Sequence, residues 1–188
     1  LKRLADPPAD SWTSIQQRFT MEAGLIRPRP VLASNVPREQ HMKILLASSE
    51  VVPFAKTGGL ADVAGALPRE LEKLGHQVSV FMPGYRCTED AGLPITLLPN
   101  ELEIPVGNEV HKVRVGQSKL PDSNVDVYFV RHHDYFWRDG LYGNNKGDFT
   151  DNCERYTLFC RAVLESIREF DLQPDLIHVN DWQTGLIP

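Results

Sequence analysis

A lysine and two glycines, Lys56-Thr57-Gly58-Gly59, stand between an apolar run at Ile44–Ala47 and a helix-like repeat opening at Leu60. Glycines on such a loop let backbone N–H groups come close to a ligand, and the helix that follows presents N–H groups of its own. With one cation beside them, these groups suit a phosphate. The loop is neither G-x-x-x-x-G-K-[ST] nor G-x-G-x-x-G, so two familiar phosphate-binding patterns are excluded. Asp62 falls in the first helical turn, where the macrodipole favours a carboxylate. A solvent-exposed lysine in a flexible turn is the competing use of the same residues.

A second constellation, Asn180-Asp181-Trp182-Gln183, follows the apolar run Leu176–Val179. It offers hydrogen-bonding groups and one large ring, a combination suited to a sugar. Alternatively Asp181 caps the next helix and Trp182 folds into the core. A third stretch, Tyr135 to Gly143, carries Tyr135, Phe136, Trp137 and Tyr142, and its residues alone leave open whether it packs on itself or lines a site. His132 and His133 are adjacent on a strand end and should point to opposite faces, which argues against a shared metal. His178, alone within a strand, is expected as a buried, hydrogen-bonded imidazole. Glu50 closes the first strand.

These residues need a frame. Ile44–Ala47 reads as a strand buried on both faces of a parallel sheet. Leu60, Val63, Ala64, Leu67, Leu71 and Leu74 recur at helical spacing, with Pro68 expected to kink the helix and Gly75 to end it. Val78–Met82 is the next buried strand, completing a βαβ unit. Glu101–Val106 and Val110–Val115 flank a Gly107-Asn108 turn and read as a hairpin. Val125–Val130 is another buried strand, and 131–150 a polar, aromatic-rich loop. Asp151 and Glu154 form an N-capping pattern for a helix with the stripe Tyr156, Phe159, Cys160, Val163, Ile167 and Phe170. Leu176–Val179 is the last strand. The expected fold is α/β and Rossmann-like, a mostly parallel sheet with an inserted β-hairpin. Lys56 and Asp181 then share the carboxyl edge of the sheet, where open α/β folds bind ligands. The chain stops where a helix should begin, so a domain cut short is expected.

Charge divides the 188 residues unevenly. Residues 1–41 hold six Lys/Arg and four Asp/Glu, while the remainder carries seven more acids than bases. An acidic body argues against nucleic acid, which needs a clustered basic face. Three cysteines without C-x-x-C spacing argue against a disulfide framework and fit a reducing compartment. No apolar run approaches the length of a membrane span, and no signal-like segment opens the chain. A cytoplasmic protein is expected. Five of fourteen prolines lie within residues 1–41, which read as a loosely docked leader ahead of a domain at 42–188. A plastid transit peptide is the other reading of that leader, and Asp6, Asp10, Glu22 and Glu39 weigh against it.

Lys56-Thr-Gly-Gly-Leu-Ala-Asp-Val63, after Ser49-Glu50-x-x-Pro53, resembles the start of bacterial glycogen synthases and plant starch synthases. His178-Val-Asn-Asp-Trp-Gln-Thr184 is similar to a second motif of that family, in the right order and spacing, with Asn180 where a histidine is common. The resemblance covers nearly all of 42–188 and implies the N-terminal half of a GT-B glycosyltransferase. It implies transfer of glucose from ADP-glucose to the 4-OH at the non-reducing end of an α-1,4-glucan, with retention and without metal or cofactor. By the match, Lys56, Gly58, Gly59 and Asp62 would bind ADP-glucose, with Lys56 meeting the diphosphate or the ribose. Asp181 and Trp182 would lie beside the transferred glucose and Tyr142 near the donor sugar, with Tyr135 the alternative. Much of the remaining apparatus would lie beyond Pro188. Another GT-B sugar-nucleotide transferase, a non-enzymatic nucleotide-sugar-binding module and a plain interaction domain remain as rival readings.

Overall fold

A computed structural model describes residues 41–188. The expectations for the leader therefore lie, His41 apart, outside the described residues. Six strands form one sheet: β1 (Lys43–Ala47), β2 (Gln77–Pro83), β3 (Thr96–Val106), β4 (Glu109–Lys119), β5 (Asp126–Arg131) and β8 (Leu176–Val179). Their order is β3-β4-β5-β2-β1-β8, and the β5-β2-β1-β8 part is parallel throughout. Ile44, Leu45, Leu46 and Ala47 are buried because strands flank β1 on both sides and both faces are covered.

The chain reaches β2 from β1 through helix α1 (Gly59–Lys73), and β8 from β5 through helix α4 (Asn152–Glu169). The two crossovers step in opposite directions along the sheet. Right-handed connections, the rule for this unit, then place α1 and α4 on opposite faces. Pro68 lies buried within α1, and the helix continues through it to Lys73. Gly65 on the same helix is a packing necessity: a Cβ there would meet the carbonyl oxygen of Val52 at 3.0 Å. That close approach, with Val52 N–H donating to the Ala61 carbonyl at 3.1 Å, seats the loop after β1 on α1.

The hairpin is longer than its apolar alternation suggests, and it extends the main sheet, with β4 antiparallel to β5. Gly107 takes φ 59 at its turn, as a two-residue hairpin loop requires. The stretch after β5 holds structure that its polar composition hides: a helical turn α3 (His133–Phe136) and a ribbon of β6 (Gly143–Asn144) with β7 (Gly147–Asp148). Helix α2 (Cys87–Asp90) is a single short turn after β2. On α4, Tyr156, Phe159, Cys160 and Val163 are buried as their spacing predicts. The capping expectation is corrected. Asp151 stands at the N-cap position but makes no capping bond, because its carboxylate is held by Arg138 at 2.6 and 2.8 Å.

Candidate active site

Three loops meet at the carboxyl edge of the parallel strands: the one between β1 and α1, the aromatic one after β5, and the one after β8. The carboxylate of Glu50, which is 3% exposed, joins the first two. Its Oε1 accepts from Thr57 Oγ1 at 2.6 Å and from the Tyr142 hydroxyl at 2.6 Å. Its Oε2 accepts the backbone N–H of Thr57 and that of Gly58, the latter at 3.2 Å. Burial works to raise the Glu50 pKa most strongly, yet the bonds from Thr57, Tyr142 and Gly58 together hold it below the usual carboxylate value. Glu50 stands in the Ser49-Glu50-x-x-Pro53 stretch of the resemblance, but nothing in its spacing pointed to this role; it lies three residues beyond the end of β1 rather than closing it.

In the glycine loop the Gly58 N–H is bonded to Glu50. The N–H groups of Gly59 and Leu60, at the start of α1, have no intrahelical acceptor and remain for a ligand. A Cβ built on Gly58 or Gly59 would meet no atom within 4 Å, and neither residue has positive φ. Nothing among the described residues demands glycine at either place, whereas a ligand lying against the loop would.

Lys56 and Asp62 pair with each other: Lys56 Nζ donates to both carboxylate oxygens, at 2.7 and 2.8 Å. The helix start therefore presents a lysine held in place by its neighbour.

On the other side, Tyr142 is half-buried, and its hydroxyl also lies 2.8 Å from Ser49 Oγ. Burial first, and then the bond to Glu50, push its pKa well above the ordinary phenol value, so the hydroxyl stays protonated. Trp182 lies beside it, ring centroids 6.5 Å apart, and packs edge-on against Tyr156 at 5.1 Å. Trp182 is 57% exposed, so the alternative of a tryptophan folded into the core is set aside.

Asp181 has φ 66 and ψ 177, a backbone region that is essentially glycine's and costs on the order of 1–3 kcal/mol for other residues. Its side chain accepts the Trp182 N–H at 2.7 Å, so the capping alternative holds in part, over a single 3₁₀ turn, Trp182–Thr184. Asn180 fastens this loop: its N–H and its side-chain amide both donate to the Ala47 carbonyl, at 3.1 and 3.0 Å. The expectation for His178 is corrected. The imidazole is exposed among the described residues, and it lies 3.2 Å from the Asn180 side chain.

The aromatic loop is built around Arg155, which is fully buried. Its guanidinium donates to the carbonyls of Tyr135 and Leu141 and to the Asn152 side chain, at 2.7, 3.0 and 2.6 Å. Phe136, Phe149 and Tyr156 surround it. This fixes the path of the chain on either side of Tyr142. Tyr135, the alternative donor-site tyrosine, packs instead against His111 and His132 and makes no contact with the Glu50 group. His132 faces His111 at 3.3 Å while His133 is exposed, and no cluster of three or more metal-ligating side chains occurs among the described residues.

A groove of about 350 Å³ lies elsewhere, lined by Lys112, Arg114, Arg131 and Trp137. Glu101 and Glu89 pair with Lys112 and Arg131 there, so its cations are largely neutralised.

Comparison with known proteins gives this edge a context. A family model described as the starch synthase catalytic domain matches residues 43–188. A glycogen synthase of Syntrophotalea carbinolica is 49% identical over 147 residues, and glycogen synthase 2 of Geobacter sulfurreducens is 46% identical over the same length. Each overlap takes in 78% of this chain, which spans about 30% of the length of these relatives. Among solved structures, the catalytic domain of starch synthase IV from Arabidopsis thaliana, bound to ADP and acarbose, superposes with a TM-score of 0.70 at 28% identity. That match covers 78% of this chain and 29% of the other.

Proposed function

The chain belongs to the starch synthase catalytic domain family, and from that premise we propose that it forms the donor-side wall of a glycogen synthase. The reaction is transfer of glucose from ADP-glucose to the non-reducing end of an α-1,4-glucan, with retention of configuration and release of ADP. The observation that carries this reading is the meeting of the Lys56 loop and Tyr142 on one buried carboxylate, with Trp182 beside Tyr142, at the carboxyl edge of the sheet.

Each group has a part in it. The diphosphate lies across the start of α1, where the N–H groups of Gly59 and Leu60 and the Lys56 ammonium meet its charge. Asp62 keeps the ammonium aimed at that place. As the glycosidic bond to the diphosphate breaks, negative charge grows on the leaving oxygens. A fixed cation and fixed dipoles stabilise that charge without reorganising. Trp182 supplies a face for the pyranose, and Asp181, held in its unusual backbone conformation, presents a carboxylate next to it. Tyr142 cannot take up a proton from the substrate, because its oxygen carries its own and donates it to Glu50. Its part is to shape the sugar pocket.

The glucan acceptor and a second domain that closes the cleft belong to the same proposal, as does a full-length protein about three times as long as the matched segment. The reading calls on no cofactor, since ADP-glucose is a substrate. Cys87, Cys153 and Cys160 are free, which favours a reducing, cytoplasmic setting.

The test is the initial rate of ADP release by the full-length protein, with glycogen and either ADP-glucose or UDP-glucose. Faster turnover with ADP-glucose, and chain extension at α-1,4 linkages, supports the proposal. Hydrolysis of the donor without extension, or no turnover with either donor, refutes it.

A further inference from the structure

Resting on the reading of this edge as a donor site, we propose that Glu50 is a positioning residue that locks the Lys56 loop and Tyr142 into one unit and takes no direct part in the chemistry. A buried carboxylate at the reacting edge of a glycosyltransferase would ordinarily be a candidate nucleophile or base. The accounting of its hydrogen bonds excludes both. An ionised carboxylate has about four acceptor positions, and four donors fill them: Thr57 N–H, Thr57 Oγ1, Gly58 N–H and the Tyr142 hydroxyl. No lone pair is left for an anomeric carbon or a water.

The same bonds shift the diphosphate seat. Two successive N–H groups, of Thr57 and Gly58, form the kind of concavity that binds anions. The protein fills this one with its own anion, 3% exposed and out of reach of solvent. An incoming phosphate is thereby directed one step along the chain, to Gly59, Leu60 and Lys56. Because Tyr142 shares the carboxylate with Thr57, the sugar-side and phosphate-side loops keep a fixed separation. Loosening one end should loosen the other.

The experiment is a double-mutant cycle in the full-length protein with Glu50→Gln and Tyr142→Phe, and with Thr57→Val as a milder partner. In Gln, one acceptor oxygen becomes an N–H donor facing the donors of Thr57 and Gly58. Glu50→Gln should lower kcat/KM for the donor by about 10- to 100-fold and weaken ADP binding with it. A purely structural role would reduce the amount of folded enzyme and leave the KM and the ADP affinity of the folded fraction unchanged. The Glu50→Gln/Tyr142→Phe double variant should lie within roughly threefold of the worse single, since both act on one linked unit. If Glu50→Gln does not fold, the cycle of Thr57→Val with Tyr142→Phe asks the same question from the two side-chain donors to the carboxylate. Multiplicative effects, or wild-type donor KM and ADP affinity in these variants, overturn the positioning role while leaving the donor-site reading intact. A wild-type protein that neither binds ADP nor transfers glucose overturns both.

Discussion

Replacing Lys56 by alanine should separate ligand binding from stability, because the structure assigns this side chain little of the latter. Its ammonium meets Asp62 at 2.7 and 2.8 Å, and the two side chains are 52% and 57% exposed. An exposed pair of this kind contributes about 0–1 kcal/mol. For a domain of this size that is a melting shift of at most about 4 °C. A charge-assisted contact to a diphosphate is worth about 1.5–3 kcal/mol, or roughly 10- to 150-fold in the ADP dissociation constant. Titration calorimetry with ADP and a thermal melt of the same preparation measure both quantities. Asp62→Asn completes the test. If Asp62 aims Lys56, freeing the lysine should weaken ADP binding by a smaller factor, about 3- to 10-fold. If Asp62 competes with the ligand for the lysine, binding should tighten instead. Unchanged ADP affinity in Lys56→Ala, or a melting loss far above 4 °C, would refute the assignment.

Asp181→Asn should lower kcat by at least about 10-fold while leaving ADP affinity and melting temperature near wild type, because asparagine has the same shape as aspartate at this backbone conformation and keeps an acceptor for the Trp182 N–H. Steady-state kinetics beside a melt checks this, and normal turnover would return Asp181 to a capping role. Arg155→Lys should cost about 2–4 kcal/mol, seen as a melting drop of roughly 5–15 °C, since one ammonium cannot serve acceptors on Tyr135, Leu141 and Asn152 together. The Glu50 clip should make the fold acid-sensitive. Its folded pKa is held below its unfolded value, so its stabilisation is present above the unfolded value and is lost as pH falls through the lower folded one. Melts between pH 3 and 6 should therefore show a steeper acid-side loss for wild type than for Glu50→Gln.

What the sequence disclosed and what it hid follow a physical division. Strand β1, helix α1, strand β5 and the Gly107 turn are written in local patterns: apolar runs, a 3.6-residue repeat and a turn dipeptide. Lys56, Asp62, Asp181 and Trp182 were singled out by type and spacing and Tyr142 by the resemblance, and the fold brings their three loops to one edge. The contacts that assemble the loops were invisible because they act across the chain. Glu50 reaches Tyr142 over 92 positions, and Arg155 gathers carbonyls 14 and 20 residues away. Neither leaves a periodicity. The errors have a similar origin. His178 looked buried because its neighbours are apolar, but among the described residues it is exposed together with Leu176 and Ile177. Asp151 fitted a capping pattern until Arg138 from the preceding loop competed for it.

The central claim is that a nucleotide diphosphate docks across the start of α1, beside a permanently occupied Glu50. A crystal structure of the full-length protein with ADP tests it most directly. The account predicts phosphate oxygens within hydrogen-bonding distance of Lys56 Nζ and the Gly59 N–H, with Glu50 still holding Thr57, Gly58 and Tyr142. Density for the diphosphate in the Arg114–Arg131 groove, or on the Thr57 and Gly58 amides with Glu50 displaced, would contradict it.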